Sequence, residues 1–253
     1  FGKSFICLDD KINKQLVKEL KNQNFFTYGI NQNSNFYIKN IYQSKRFSKY
    51  DLIVNIPNKK KILLKNINIP LLGLHNIRNS VAATAVALTV GISISEIKKG
   101  LLNFKGVQRR FNKIFSYKGV DFYDDYAHHP TEIRNVLEGV NKVFKGYDKV
   151  CIFQPHRISR LKDLRKEFSY SFKEADIVIL CPIYPAGEKI KLGFDYLNFA
   201  KEIIKNSGVK LFIVKDYIQL AKFVKKNIYG KKIVIGMGAG SISNWIKKLP
   251  ELM

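Results

Sequence analysis

A chain of 253 residues, 46% hydrophobic and 13% aromatic, is long enough for one large or two ordinary domains with cores of their own. No apolar run approaches the roughly 20 residues that span a bilayer, the most apolar helical stretch (81–90) being too short, and Phe1-Gly2-Lys3 lacks the features of an export leader, so membrane insertion and export are set aside. The formal charge of +24 invites nucleic acid as a partner, but only eight of the 44 basic residues are Arg and the Lys are scattered among Asn and Ile, which reads as solvated faces that at most gather anionic nucleotides.

Residues 4–8 read as a buried strand, so the chain opens on a core element as the middle of a fold would, with further elements expected upstream. Asp9-Asp10 then caps a helix over residues 11–21. Short β-rich runs at 25–28, 36–43, 52–56 and 62–64, separated by Asn, Ser, Lys and Pro, read as strands and hairpins. Gly73-Leu74-His75-Asn76-Ile77-Arg78-Asn79 opens the next helix, which continues to Val90. His75, Asn76 and Asn79 fall within an arc of about 100°, and a polar triplet at a helix start can hold a purine or a phosphate through amide and imidazole hydrogen bonds. On spacing alone, a capped helix end with exposed amides is equally well supported. Gly91 ends that helix, and Ser95 and Glu96 open another. The domain boundary falls in Phe104-Lys105-Gly106-Val107, giving domains over residues 1–106 and 107–253. Arg109-Arg110 follows it; paired Arg in a linker can grip phosphate with forked donors or stand as a solvated hinge.

Val120, Phe122 and Tyr123 are β-formers, while Ile133, Val136, Leu137, Val140, Val143 and Phe144 recur at three- and four-residue steps, the stripe of an amphipathic helix. Pro130 suits the first helical position, and Thr131 and Glu132 suit the positive end of the helix dipole. Asp124 to His129 therefore occupy a strand-to-helix turn, where an open parallel sheet binds its ligands. Two carboxylates and two imidazoles this close together can position a metal-bound phosphate, orient an amine or pass a proton; alternatively they satisfy backbone groups. Strands at 150–153, 177–180, 211–214 and 233–235 then alternate with helices to 173, from 196, from 218 and from 241, the pattern of a doubly wound sheet. Gln154-Pro155-His156-Arg157-Ile158-Ser159-Arg160 places two Arg three residues apart, a spacing that turns both toward one carboxylate or phosphate. Tyr184-Pro185-Ala186-Gly187-Glu188 is a turn ending in a carboxylate. Gly236-Met237-Gly238-Ala239-Gly240-Ser241 departs from the dinucleotide spacing by one residue and reads as a tight turn. Cys7, Cys151 and Cys181 sit at the ends of apolar runs, as small buried hydrophobes in a reducing compartment do, and not as a disulfide framework or zinc site.

Together, Asp124-Asp125-Tyr126-Ala127-His128-His129-Pro130-Thr131-Glu132, Phe153-Gln154-Pro155-His156-Arg157 with Arg160, the Tyr184 to Glu188 turn, the His75-Asn76 and Asn79 helix start and Arg109-Arg110-Phe111 resemble, in order and at plausible spacings, the motifs of the Mur ligase family. The resemblance covers the whole chain. It implies an α/β fold in which the later part of a Mur-type central ATPase domain is followed by a Rossmann-like, doubly wound carboxyl-terminal domain. One departure is large: the family's glycine-rich phosphate loop ending in Gly-Lys-Thr or Gly-Lys-Ser does not occur in this sequence, nor does its amino-terminal UDP-binding domain. The expectation is a carboxyl-terminal portion of a ligase, unable to turn over ATP by itself.

What the resemblance implies is cytoplasmic, ATP-driven amide synthesis in peptidoglycan precursor formation. The carboxylate of UDP-N-acetylmuramate attacks the γ-phosphate to give an acyl phosphate, and the amine of L-alanine then displaces phosphate. His75, Asn76 and Asn79 would contact the nucleotide, with Arg110 and Asp125 closing onto it from the second domain. Arg157 and Arg160 would grip the alanine carboxylate, and His128 with Tyr126 would line the acceptor site, so that Arg110, Asp125 and His128 form the catalytic set. Mg2+ would be required, with ligands mostly upstream of Phe1, and His129 caps its helix. The Gln154 to Arg157 element favours free alanine over the substrate of a sister ligase that attaches a recycled peptide to the same sugar nucleotide. A basic nucleic-acid-binding module would account for the charge but leaves the ordered motifs unexplained, so nucleic acid is not expected as a partner.

Overall fold

In the computed structural model, which describes residues 2–20, 24–104, 106–188 and 194–253, the backbone divides into two units, Phe1–Gly106 and Val107–Met253. The first contains β1 (Ser4–Cys7), α1 (Lys11–Glu19), β2 (Phe25–Gly29), β3 (Phe36–Gln43), β4 (Ser48–Val54), β5 (Ile62–Ile69), α2 (Leu74–Thr89) and α3 (Ile94–Asn103). Its sheet runs in the order β1-β2-β3-β4-β5, parallel across the first three strands and antiparallel across the last three. Strict alternation in β4 sends Ser48, Tyr50, Leu52 and Val54 inward. There they join Phe36, Ile38, Ile67 and Ile69, packed with Ile77, Val81 and Ala85 of α2. The buried Tyr50 hydroxyl is satisfied by Ser80 at 2.7 Å.

Three local expectations are corrected here. The strand read at 52–56 starts at Ser48 and ends at Val54, because Lys49 and Asp51 interrupt the apolar run without breaking its alternation. Asp10 alone caps α1, accepting from Ile12 N at 2.9 Å and Asn13 N at 3.0 Å, whereas Asp9 turns away to take Ile30 N at 2.9 Å and Arg78 Nε at 2.6 Å. The last expected residue of that helix, Lys21, lies outside the described residues, as does Lys105 of the boundary stretch. Helix α3 opens from Ser93, whose N–H and side chain both engage Glu96 in a capping box.

The second unit contains β6 (Asn112–Tyr117), β7 (Val120–Asp125), α4 (Pro130–Val143), β8 (Asp148–Phe153), α5 (Ile158–Asp163), α6 (Arg165–Ser169), β9 (Ile177–Leu180), α7 (Tyr196–Ser207), β10 (Lys210–Ile213), α8 (Tyr217–Asn227), β11 (Lys232–Met237) and α9 (Ile242–Lys248). The sheet order is β10-β9-β8-β11-β7-β6, parallel except for the β6–β7 hairpin. One face packs Val120, Phe122, Val150, Ile152 and Val234 against Leu220, Val224, Ile242 and Ile246. The other turns Phe153 toward Phe168 and Phe172 at ring distances of 5.8 and 5.2 Å. The α/β expectation holds in both units. Strand β6 had no counterpart in the pattern analysis, and the helix expected to reach residue 173 is two short helices broken at Leu164 (ψ 23°).

Among the described residues no helix is long and apolar enough to cross a membrane. The three cysteines are free thiols, Cys7 partly exposed and Cys151 and Cys181 buried.

The register of the second sheet decides where its chemistry gathers. Met237 pairs with both Asp125 and Phe153, and Phe153 pairs with Leu180, so β7, β8, β9 and β11 end level with one another. The segments leaving those ends are the marked motifs. Asp124 and Asp125 are the last two residues of β7, not part of the turn as expected, and the turn proper is residues 126–129.

Candidate active site

Alternation along β7 turns its last two carboxylates to opposite faces. Asp124 Oδ2 accepts from the Ser243 hydroxyl of α9 at 2.6 Å and lies 3.6 Å from Arg109 Nε. Asp125 accepts from Phe111 N at 2.8 Å through one oxygen and from Ala127 N at 2.8 Å through the other. Both side chains are buried. Burial pushes the Asp125 carboxyl up to about 6, against the backbone N–H groups and the Arg110 charge, which pull it down. The α4 start is fixed by a capping box: His129 Nδ1 accepts from Thr131 N at 3.3 Å, while Glu132 Oε2 accepts from His129 N at 3.2 Å and His128 N at 3.0 Å. His129 thus caps its helix.

His128 is held differently. Its Nδ1 lies 2.8 Å from the Tyr126 carbonyl and 3.3 Å from Glu132 Oε2. Two acceptors on Nδ1 assign a proton to that nitrogen, so that in the neutral ring the lone pair is on Nε2. The ring packs edge-on to Tyr126 at 5.0 Å and to His156 at 5.6 Å, and His156 stacks on Tyr184 at 5.6 Å. A parallel bridge between His156 and Tyr184 brings these segments together, with Tyr184 N donating to Pro155 O at 2.8 Å and Arg157 N to Tyr184 O at 2.9 Å. Arg160 Nη1 sits 3.3 Å from His156 Nδ1, which makes that nitrogen the acceptor. Burial first, then the charges of Arg160, His128 and Arg157, lower the His156 value. Arg157 is exposed at the α5 N-cap with φ 66°, and Glu188 secures the same helix start by accepting from Ile158 N at 2.7 Å and Ser159 N at 3.1 Å.

The glycine loop after β11 is packed by this cluster. A Cβ on Gly240 would stand 2.5 Å from Tyr184 Cγ and 2.6 Å from Gln154 Oε1, and one on Gly238 would stand 2.7 Å from the Gln154 carbonyl oxygen. Gln154 also accepts from Ile242 N at 2.9 Å and donates to Ser241 Oγ at 3.0 Å. The loop therefore closes on protein, in keeping with a tight turn. Arg109 reaches the same place, its guanidinium donating to the Gly238 carbonyl and covering the Tyr126 ring at 4.7 Å. Arg110 between Arg109 and Phe111 is exposed.

In the first unit, Asn76 is buried and donates through its side-chain amide to Leu72 O at 2.7 Å, while Asn79 is exposed on the same helix. Gly73 (φ 91°) lies under the His75 ring, where a Cβ would meet Cε1 at 2.6 Å. These three residues share the opening turns of α2.

Tyr126, His128 and Arg160 are thus brought together through His156, and Arg110 and Asp125 are electrostatic neighbours. Sequence reasoning placed Arg109, Asp124, Gln154, His156 and Glu188 within the marked motifs without giving any of them a role of its own, and it did not name Ser243. The Gln-Pro-His-Arg string was the signal for His156; nothing local announces Ser243. The arrangement offers guanidinium groups for a carboxylate, a ring-lined wall and an imidazole nitrogen able to take a proton. Among the described residues no group of three or more His, Cys, Asp or Glu is placed to hold a metal ion.

Residues 2–87 match the Mur ligase middle domain, and residues 109–240 match the Mur ligase glutamate ligase domain. The chain belongs to the Mur ligase family. Among Mur ligases, UDP-N-acetylmuramate–L-alanine ligase of Pelagibacter ubique is 67% identical over 253 residues, all of this chain and 54% of that protein. The crystal structure of UDP-N-acetylmuramate-alanine ligase MurC from Thermotoga maritima, 24% identical, superposes with a TM-score of 0.72 over 94% of this chain and 49% of that one. A murein peptide ligase from Psychrobacter arcticus, 19% identical, gives 0.69 over 99% and 51%. The structural likenesses establish the Mur ligase fold, and the chain spans about half the length of the curated relatives it matches.

Proposed function

We propose that this chain is the later part of an ATP-dependent ligase that joins L-alanine to the carboxylate of UDP-N-acetylmuramate in cytoplasmic peptidoglycan precursor synthesis. In this reading residues 1–106 are the later part of the central ATPase domain and residues 107–253 the carboxyl-terminal domain. The observation that carries it is the level ending of β7, β8, β9 and β11, which gathers the Tyr126, His128, Arg157 and Arg160 motifs at one edge. The 67% identity to an alanine-adding relative supports the choice of amino acid.

Each residue then has a task suited to its surroundings. Arg157 and Arg160 hold the amino-acid carboxylate through forked donors. His128 Nε2, left free by the bonds on Nδ1, receives a proton from the amine as it attacks the acyl group. Tyr126 walls the acceptor. His75, Asn76 and Asn79 contact the nucleotide, and the exposed Arg110 offsets phosphate charge. Asp125 keeps a second lone pair on each oxygen for a ribose hydroxyl while its backbone bonds hold the turn. Magnesium accompanies ATP and neutralises the phosphates, its ligands supplied largely outside this chain.

The test is to join the chain to the preceding segment of its own gene and measure Mg2+- and ATP-dependent phosphate release with L-alanine and with a murein tripeptide. Release driven by L-alanine, with Arg160→Ala raising its KM about tenfold or more, is expected. Preference for the tripeptide would overturn the amino-acid assignment.

A further inference from the structure

Arg110 is bracketed by two residues in a backbone conformation that side chains other than glycine rarely adopt: Arg109 at φ 61° and Phe111 at φ 53°. Neither flank is glycine, so contacts from elsewhere must hold the chain there. On one side the Arg109 guanidinium donates to the Gly238 carbonyl, its Nε lies 3.6 Å from Asp124 Oδ2, and the Arg109 carbonyl accepts from Tyr126 N at 2.7 Å. Asp124 is pinned in turn by the Ser243 hydroxyl at 2.6 Å. On the other side Phe111 N donates to Asp125 Oδ2 at 2.8 Å, and the Phe111 ring stacks on Tyr123 at 4.2 Å. Between these anchors the Arg110 side chain is exposed, and the Arg110 backbone N–H donates to Asn112 Oδ1 at 2.9 Å.

We propose that Asp124, facing the Arg109 side chain, and Asp125, bound to the Phe111 N–H, form a two-sided clamp on the residues either side of Arg110, making Asp124, Arg109 and Ser243 positioning residues for the Arg110 guanidinium. Adjacent residues at the end of a strand face opposite ways, so a consecutive Asp pair can grip the residue before Arg110 with one carboxylate and the residue after it with the other. A long, exposed side chain gives up much rotational freedom when it binds, and a backbone fixed in advance leaves less to be lost. The proposal rests on the reading that Arg110 meets the nucleotide phosphates, and it adds three residues that do not touch the ligand.

The experiment has two arms. In the 253-residue chain, the Cα and Cβ NMR shifts of Arg109 and Phe111 and the amide exchange of Phe111 are followed in Asp124→Asn and Ser243→Ala. Loss of the left-handed shifts and faster exchange are expected, with Ser243→Ala the milder. In the joined enzyme, kcat/KM for ATP is measured for Asp124→Asn, Arg110→Ala and the double variant. Asp124→Asn is expected to lower it about tenfold with the KM for L-alanine unmoved, and to add nothing once Arg110 is gone, because the two act through one group. Equal losses with and without Arg110, or native shifts retained in both variants, would overturn the clamp. An Arg110→Ala enzyme as active as the parent would instead overturn the nucleotide reading and, with it, any positioning role. Should Asp124→Asn fail to fold, Ser243→Ala carries the same cycle, since it removes one hydroxyl contact and no charge.

Discussion

At Asp125, burial and neighbouring charge pull in opposite directions. Removal from water pushes its carboxyl up to about 6 and the nearby Asp124 adds to that, while bonds from Ala127 and Phe111 and the Arg110 charge oppose it. A carboxyl raised in the folded state binds its proton more tightly there than in the unfolded chain. Its contribution to stability is therefore complete below the unfolded value of 3.8 and disappears as pH climbs through about 6. Keeping Asp125 ionised near neutrality costs the fold on the order of 3 kcal/mol, a cost set against its proposed contact with the nucleotide ribose. His156 works in the other sense: its lowered value gives stability that is present above the ordinary imidazole value of 6.5 and is lost as pH falls below it. Carbon-detected NMR of the Asp125 side chain is expected to show a midpoint near 6. Arg110→Ala should move it higher still, because a favourable charge has been taken away; a downward move would mean that the guanidinium does not act on this carboxylate.

At the level of elements, glycines separate packing from propensity. Gly100 lies in the exposed part of α3, where an added Cβ meets nothing within 4 Å. Gly100→Ala is expected to stabilise the first unit by about 0.5–1 kcal/mol through lost freedom of the unfolded chain. Gly240→Ala drives a methyl into Tyr184 and Gln154 and is expected to cost about 1–3 kcal/mol; thermal melts of both variants check the opposite signs. The same elements show what the sequence could reveal. Helix α4 was legible because Pro130, the capping residues and the apolar stripe all agree. The hairpin strand β6 was not, since Asn112, Lys113 and Ser116 dilute its alternation and its turn places Lys118, a poor turn marker, at φ 48°. The motif cluster was legible as separate strings. Its closure through His156 and Tyr184 was hidden, because only the shared register of β8 and β9 brings segments 28 residues apart into ring contact. The opposite roles of Asp124 and Asp125 follow from strand alternation, but only once β7 is known to run to Asp125.

For the whole molecule, two separate cores imply two cooperative transitions. The single tryptophan, Trp245, packs at the edge of the second core, so its fluorescence reports that unit alone, whereas far-ultraviolet circular dichroism reports both. Urea unfolding followed by the two signals is expected to give non-coincident curves; superimposable curves would show that the units melt as one. The thiols supply an internal clock for the same process. Cys7 stands partly open in the first unit, while Cys151 and Cys181 are sealed in the second, with burial raising both of the latter far above a reactive thiol. A pulse of maleimide, read by mass, would stamp one adduct on molecules whose second unit stays closed and three on those in which it has opened, so the chain's own thiols count the openings of that unit whatever the state of the first.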